Sequence, residues 1–479
     1  MPSPTSAWFL AATAPVPGFE VARIATPPGS PQVYATTPVS PAGTGLTWHA
    51  GLGAAPGVRA DRPTTRVEVG DDRFVVDVAP MNEVPLYLVK DRFRGRLLVC
   101  SDMFVAAAAR ARWNLPDDPG RPDLLSREGA TPCHGVTRLD PGSVTVVRRT
   151  GRGWALATEQ RPDPLDAAHG VDLVEPAAAG EAFVQALAAA VTGAAAGRPV
   201  ATLLSGGIDS GAVTTLARRA GLPVVAYSAG SPWGNEHTEA AELARYLGIE
   251  HVLVDLDTDE LLAAIPETIR LLGTAHSDKV DIAVTAVALL RRGVITPDLV
   301  LTGYGNDLIN LGLPPATTDT DALVAAVADG IDETRYSGEF SPMAAVARGK
   351  QLVHPYWHPE VLRIGLAVHP DCKLGRTGTD PARAGRDKAY FRAAMARLVP
   401  ESVAWRQKIA VHHGGGLQAG LDRLFGGRPG KVEAYRECFR SIVDELRTDP
   451  LAGVDHAPAG TLLRQRAGAA ARAPVTEAV

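Results

Sequence analysis

Between residues 65 and 102 short apolar runs alternate with turn residues: RVEV, the turn Gly70-Asp71-Asp72, RFVVDVA, VPLYLV and RLLVCSD. A period of two broken by turns predicts an antiparallel sheet with one buried face. Residues 142–148 follow the turn Asp140-Pro141-Gly142 with another such run, so residues 1–165 read as one β-rich domain. Before Thr65 the chain is rich in Pro, Gly and Thr, and its pattern assigns no elements. The stretch RPDPLDAAHGVDLVEPAAAG carries prolines and acids without a period and gives a linker at 166–180. From 181 to the end at 479 the pattern changes. Helix-period segments at 181–196, 209–220, 236–247, 258–272 and 281–292 alternate with apolar strand-length runs at 200–204, 223–228, 251–256 and 299–302. Such alternation predicts a doubly wound parallel sheet with ligands at its carboxyl ends. Beyond Asp321 the chain reads as helical with no long β-run, and its last twenty or so residues are expected to fray. The fold class is α/β, or α+β over the whole chain.

A chain of 479 residues, 46% hydrophobic and 21% charged, has the composition of a packed protein of two or three domains. Its net charge of −5 has the wrong sign for a protein that binds a phosphate backbone, so no nucleic-acid partner is expected. Cys100, Cys133, Cys372 and Cys438 form no C-x-x-C pair, which leaves zinc and disulfide frameworks unsupported. The first fourteen residues lack a basic n-region, and the uncharged run at 182–197 is shorter than the ~20 residues of a membrane span. The expectation is a cytoplasmic protein with no membrane partner.

The chemistry concentrates in Ser205-Gly206-Gly207-Ile208-Asp209-Ser210, set between the strand VATLL and a helix. Two glycines permit a tight turn that brings backbone N–H groups towards an anion, and the helix start adds donors and a positive dipole end. That is a phosphate cradle. It has no Gly-Lys-Ser/Thr, so it is no Walker A loop, and it lacks the hydrolase elbow G-x-S-x-G. A glycine turn with a capping Asp or Ser is the plainer reading of a lone Gly-Gly, but the six-residue string in this context favours the cradle.

The string resembles the pyrophosphate loop of the ATP pyrophosphatases. Downstream lie Leu301-Thr302-Gly303-Tyr304-Gly305-Asn306-Asp307, Gly338-Glu339-Phe340-Ser341-Pro342, His354-Pro355-Tyr356-Trp357, Gly385-Arg386-Asp387-Lys388 and the run from Arg406 through Lys408 to Gly416. In order and spacing these resemble the asparagine synthetase superfamily, and most closely its β-lactam and carbapenam synthetase branch. The resemblance implies an N-terminal Ntn-hydrolase-like domain and a C-terminal sheet of the ATP pyrophosphatase type with added helices. It implies ATP as co-substrate, held by Leu203, Ser205, Gly206, Gly207, Asp209, Ser210, Gly303, Lys388 and Lys408. It also implies Mg²⁺ on Asp209 and Asp307, since carboxylate oxygens suit that ion. Lys388 and Lys408 are expected to neutralise pyrophosphate and the charge growing at the adenylated carbonyl.

Tyr304 and Glu339 resemble the catalytic dyad of the cyclising branch, with Lys408 beside them. An attacking amine must lose a proton, and a phenol of pKa ~10 is a poor base unless a carboxylate shares its proton. The N-terminal domain resembles the family's glutaminase domain weakly, through Val84-Pro85-Leu86-Tyr87 and Gly135-Val136-Thr137. Met1 precedes Pro2 and no cysteine comes before Cys100, so no glutamine hydrolysis is expected from it. The strings Ser277-Asp278-Lys279-Val280-Asp281 and Asp332-Glu333 match the family's substrate contacts loosely, and His412 and His413 read as loop residues. The resemblance implies an intramolecular amide synthetase that adenylates a carboxylate, releasing AMP and pyrophosphate. Its substrate would be a small amino-acid derivative with an internal amine, and the family allows a homodimer. The alternatives are a ligase using an external amine or a peptide, lasso-peptide cyclases included, or a degenerate nucleotide-binding protein.

Overall fold

The computed structural model describes residues 7–42, 45–49, 64–116, 120–169, 172–339, 341–377, 383–407 and 416–470. Two six-stranded antiparallel sheets form the N-terminal part. One runs, edge to edge, through Val136–Arg138, Tyr87–Asp91, Arg96–Cys100, Phe9–Ala12, Gln32–Ala35 and Arg23–Ile24. The other runs through Gly153–Gln160, Ser143–Thr150, Arg73–Asp77, Arg66–Val69, Gly45–His49 and Ser40–Ala42. Phe9, Val33, Leu88 and Val99 of the first sheet meet Trp48, Val67, Phe74 and Val76 of the second in one core. The Phe9 and Trp48 rings stack at 5.0 Å across the gap. The alternate residues Trp8, Leu10 and Ala12 face the other way, onto helices. Among the described residues, five strands occupy the stretch before Thr65 that the hydrophobic pattern left unassigned.

In the C-terminal part five parallel strands lie in the order Glu250–Asp255, Val224–Gly230, Val200–Leu203, Leu299–Thr302 and Gln351–Val353. The first strand in the chain is central, and the order reverses between it and Leu299–Thr302, which is where a doubly wound sheet opens a crevice at its carboxyl edge. The edge strand Gln351–Val353 adds to the expected four.

Two boundaries differ from the sequence expectation. The helix Pro176–Ala195 starts inside the expected linker, because Pro176 opens it and the Glu175 carboxylate accepts from the amides of Ala177 and Ala178. At 20 residues it is, by length and composition, apolar enough to cross a membrane. Here its Phe183 packs among the rings of Tyr356, Tyr390 and Phe391. The chain also stays helical to the end of Ala457–Ala470, since Ala459, Leu463 and Ala467 recur at helical spacing and are buried. All four cysteines are buried, and none is joined in a disulfide among the described residues.

The two parts are joined by charge as well as by apolar contact. Asp102 caps the helix Met103–Arg112 with one oxygen, and its other oxygen meets Arg270 Nε of the helix Thr258–Leu272 at 2.8 Å. Both side chains are buried, so neither charge is met by water. Arg270→Met should therefore lower the unfolding free energy by about 3–5 kcal/mol, the usual cost of stranding a buried partner. Adding Asp102→Asn, which keeps an oxygen for the cap, should recover part of that loss in urea denaturation. Full stability in the single variant would refute the contact.

Candidate active site

Strand Val200–Leu203 ends in the loop that opens the helix Ile208–Arg219. Ser210 Oγ draws the loop closed: it accepts from Ser205 N at 3.0 Å and lies 2.9 Å from Ser205 Oγ. Gly207 is the helix N-cap and supplies no side chain to the first amides. Gly206 leaves room for Arg406, one of whose guanidinium nitrogens would stand 1.7 Å from a Cβ there. Gly303, after strand Leu299–Thr302, lets that chain press against the helix start, where a Cβ would come 2.3 Å from Ser210 N. Leu203, Ser205, Gly206, Gly207, Asp209, Ser210 and Gly303 thus gather at the carboxyl ends of the two central strands.

Asp209, in the first turn of that helix, faces Asp307 in the first turn of Asn306–Ile309. Lys388 joins them: its Nζ lies 2.6 and 2.8 Å from the two Asp209 oxygens and 2.5 Å from Asp307 Oδ1. Burial alone would push the ammonium towards neutrality, but Asp209 and Asp307 outweigh it and hold its pKa above the usual lysine value. The Lys388 backbone is left-handed, at φ 56°. A non-glycine residue there costs about 1–3 kcal/mol and persists only where its surroundings demand it. The donor set fits a hard divalent cation, because two carboxylates already converge on one positive group.

A buried polar chain fixes this centre. Tyr390 donates to Asn310, Asn310 to Asn306, and Asn306 to Asp209 Oδ1, each at 2.6 Å. Tyr356 donates to the Asp209 carbonyl at 3.1 Å. Arg392 ties Asp387, through its carboxylate, to the carbonyls of Ala404 and Arg406, and so aligns the string holding Lys388 with the one leading to Lys408. Lys408, Phe340, His412, His413, Gly414 and Gly415 lie outside the described residues.

Tyr304 donates its phenol proton to Glu339 Oε2. Burial and the Glu339 charge push the phenol well above its ordinary pKa, so Tyr304 stays protonated at rest. Glu339 Oε1 lies 2.6 Å from Lys279 Nζ, which also meets Glu333 Oε1 at 2.8 Å. Thr302 and His354 Nδ1 share a 2.6 Å bond beneath the Tyr304 ring. The sequence strings around Lys279 and Glu333 match substrate contacts loosely, and the structure places Lys279 on Glu339 of the dyad and Glu333 on Lys279. The roles of Asn306, Asn310, Tyr390 and Arg392 carry no local sequence signal.

A model of the asparagine synthase family matches residues 182–331 and 339–473. The chain is 30% identical over 391 residues to the carboxyethyl-arginine beta-lactam-synthase of Streptomyces clavuligerus, covering 80% of this chain and 71% of that protein. Among solved structures, NMN synthetase from Francisella tularensis is 14% identical with a TM-score of 0.26, over 64% of this chain and 99% of that one. Glutamine phosphoribosylpyrophosphate amidotransferase from B. subtilis is 13% identical with a TM-score of 0.16, over 73% of this chain and 66% of that one.

Lys373 supports the floor of the site by donating to the Ile309 carbonyl at 2.9 Å. Burial lowers its pKa to about 7. The unfolded lysine titrates near 10.4, so between about pH 7 and 10 the unfolded chain binds more protons and stability should climb with pH. The contribution should approach ~1.4 kcal/mol per pH unit. Urea denaturation at several pH values should show this rise in the wild type and a flatter profile in Lys373→Met. Equal slopes in the two would contradict the burial argument.

Proposed function

The chain belongs to the asparagine synthase family, in its β-lactam synthetase branch, and is an ATP-dependent amide-forming ligase; from that premise we propose that the amide it forms is intramolecular, a lactam closed within one substrate molecule. The observation that carries this reading is the buried hydrogen bond from Tyr304 to Glu339 at the same sheet edge as Asp209, Asp307 and Lys388. A ligase that takes ammonia has less need of a proton-accepting pair than one whose nucleophile is a bound ammonium.

In this account the loop Ser205–Ser210 receives the phosphates of ATP. Asp209 and Asp307 would hold Mg²⁺, which when bound neutralises phosphate charge. Lys388 supplies a fixed positive charge beside them, and Lys408 is assigned the charge that grows at the reacting carbonyl. The substrate carboxylate attacks the α-phosphorus, the bond to the β-phosphate breaks, and pyrophosphate leaves. Tyr304 takes a proton from the substrate amine as its own passes to Glu339. The freed amine attacks the adenylated carbonyl, the C–N bond forms as the nitrogen gives its second proton to the departing phosphate, and AMP leaves with the electrons of the C–O bond. The named relative supports a small amino-acid derivative carrying a carboxylate and an internal amine, so carboxyethyl-arginine is the first compound to try.

Tyr304→Phe and Glu339→Gln should lower product formation by roughly 10²-fold or more, the lower part of the range for general-base catalysis. Exchange of labelled pyrophosphate into ATP should fall much less. Because the two side chains act as one unit, the double variant should be little worse than the worse single. A Tyr304→Phe enzyme that forms product at the wild-type rate would remove the case for ring closure.

A further inference from the structure

Lys279 takes no part in the reaction described above, yet no charged group lies closer to Glu339 among the described contacts. It sits in the first turn of the helix Ser277–Arg292, with its Nζ between Glu339 Oε1 at 2.6 Å and Glu333 Oε1 at 2.8 Å. The side chain of Glu339 is 3% exposed and that of Lys279 12%, whereas Glu333 at 42% reaches water. We propose that Lys279 is the positioning residue of the dyad: its ammonium keeps Glu339 an anion and holds Oε1, which leaves Oε2 turned to the Tyr304 hydroxyl.

The inference rests on the dyad having the role given above, but its physical core concerns the free protein. A carboxylate so deeply buried is costly to keep charged without a counter-ion and takes up a proton instead. A protonated Glu339 has an O–H to donate and can no longer receive a proton from Tyr304. Lys279 prevents this only if it is itself charged. Burial opposes that charge, but Glu339 and Glu333 outweigh burial and raise its pKa. Glu333 is likewise held ionised: burial works against it, and Lys279 and Arg127 prevail.

Arg127 comes from the N-terminal domain and meets Glu333 at 3.7 Å and Asp329 at 3.0 Å. Nearby, the carbonyls of Pro122 and Leu124 accept from Ala275 N at 2.8 Å and Thr274 Oγ1 at 3.1 Å, just ahead of the helix that bears Lys279. Charges of alternating sign therefore run from Arg127 through Glu333 and Lys279 to Glu339, and the N-terminal domain fixes the outer end.

Infrared spectroscopy of the full-length protein tests this without substrate or turnover. At pH 7 Lys279→Met should show a protonated-carboxyl C=O band that the wild type lacks. That band should vanish in Lys279→Met/Glu339→Gln and should be absent in Lys279→Arg, which restores the charge. Lys279→Gln, which keeps a polar end, gives the same reading if methionine hinders folding. A Lys279→Met spectrum without the band, or a band that survives replacement of Glu339, overturns the inference. Because no product is measured, failure of the lactam reading leaves this result interpretable by itself.

Discussion

The site depends on one buried ammonium. Lys388 holds Asp209 and Asp307, which belong to chain segments that local sequence does not join; Lys388 and Asp209 are 179 residues apart. Two carboxylates brought together at the ends of neighbouring parallel strands repel one another, and a cation between them turns that repulsion into a tie. The tie is effective only because other polar groups complete it. Asn306 satisfies Asp209 from the side, and Tyr356 holds the backbone of Asp209. A buried ion pair without such support is a poor source of stability. With it, the pair fixes Asp209 and Asp307 against each other at the carboxyl edge of the parallel sheet.

The same strand carries the second centre. Tyr304 and Asp307 both follow Leu299–Thr302, so the strand that supplies an acidic residue to the Lys388 cluster also supplies the phenol that meets Glu339. Gly303 lets this segment lie against the start of the helix bearing Asp209. The Asp209–Asp307–Lys388 cluster and the Tyr304–Glu339 pair thereby lie along a few residues of one strand end. Charge alternates outward from the Tyr304–Glu339 pair as far as Arg127, which gives the N-terminal domain a physical link to Glu339.

The parallel sheet was legible because its inner strands are largely buried on both faces and read as apolar runs between helices. The N-terminal sheets were half legible. Strands such as Arg66–Val69 and Ser143–Thr150 alternate and lie between marked turns, whereas Phe9–Ala12 is buried on both faces and so short that no period can show. Gln351–Val353 is a three-residue edge that no pattern marks. In the site, motif residues such as Asp209 and Tyr304 sit in strings that announce themselves. Arg392 does not, and the loose string around Lys279 does not show its contacts, because these roles come from partners brought close by the fold: Arg392 from backbone carbonyls, Lys279 from Glu333 and Glu339. The alanine-rich helix at Pro176–Ala195 was misplaced at its start because the Glu175 cap lies among acids that resemble a linker.

The central claim is that a substrate carboxylate is activated on the α-phosphate of ATP and then captured by an amine of the same molecule. Labelling the substrate carboxylate with ¹⁸O follows the atom that must move. Attack on the α-phosphorus and loss of the adenylate transfer one labelled oxygen to AMP, while the product retains one and is lighter than the substrate by one water. Mass spectrometry finding the label in AMP, together with that lighter product, is the predicted result. Label found in inorganic phosphate with ADP as the nucleotide, or unlabelled AMP, would contradict the account.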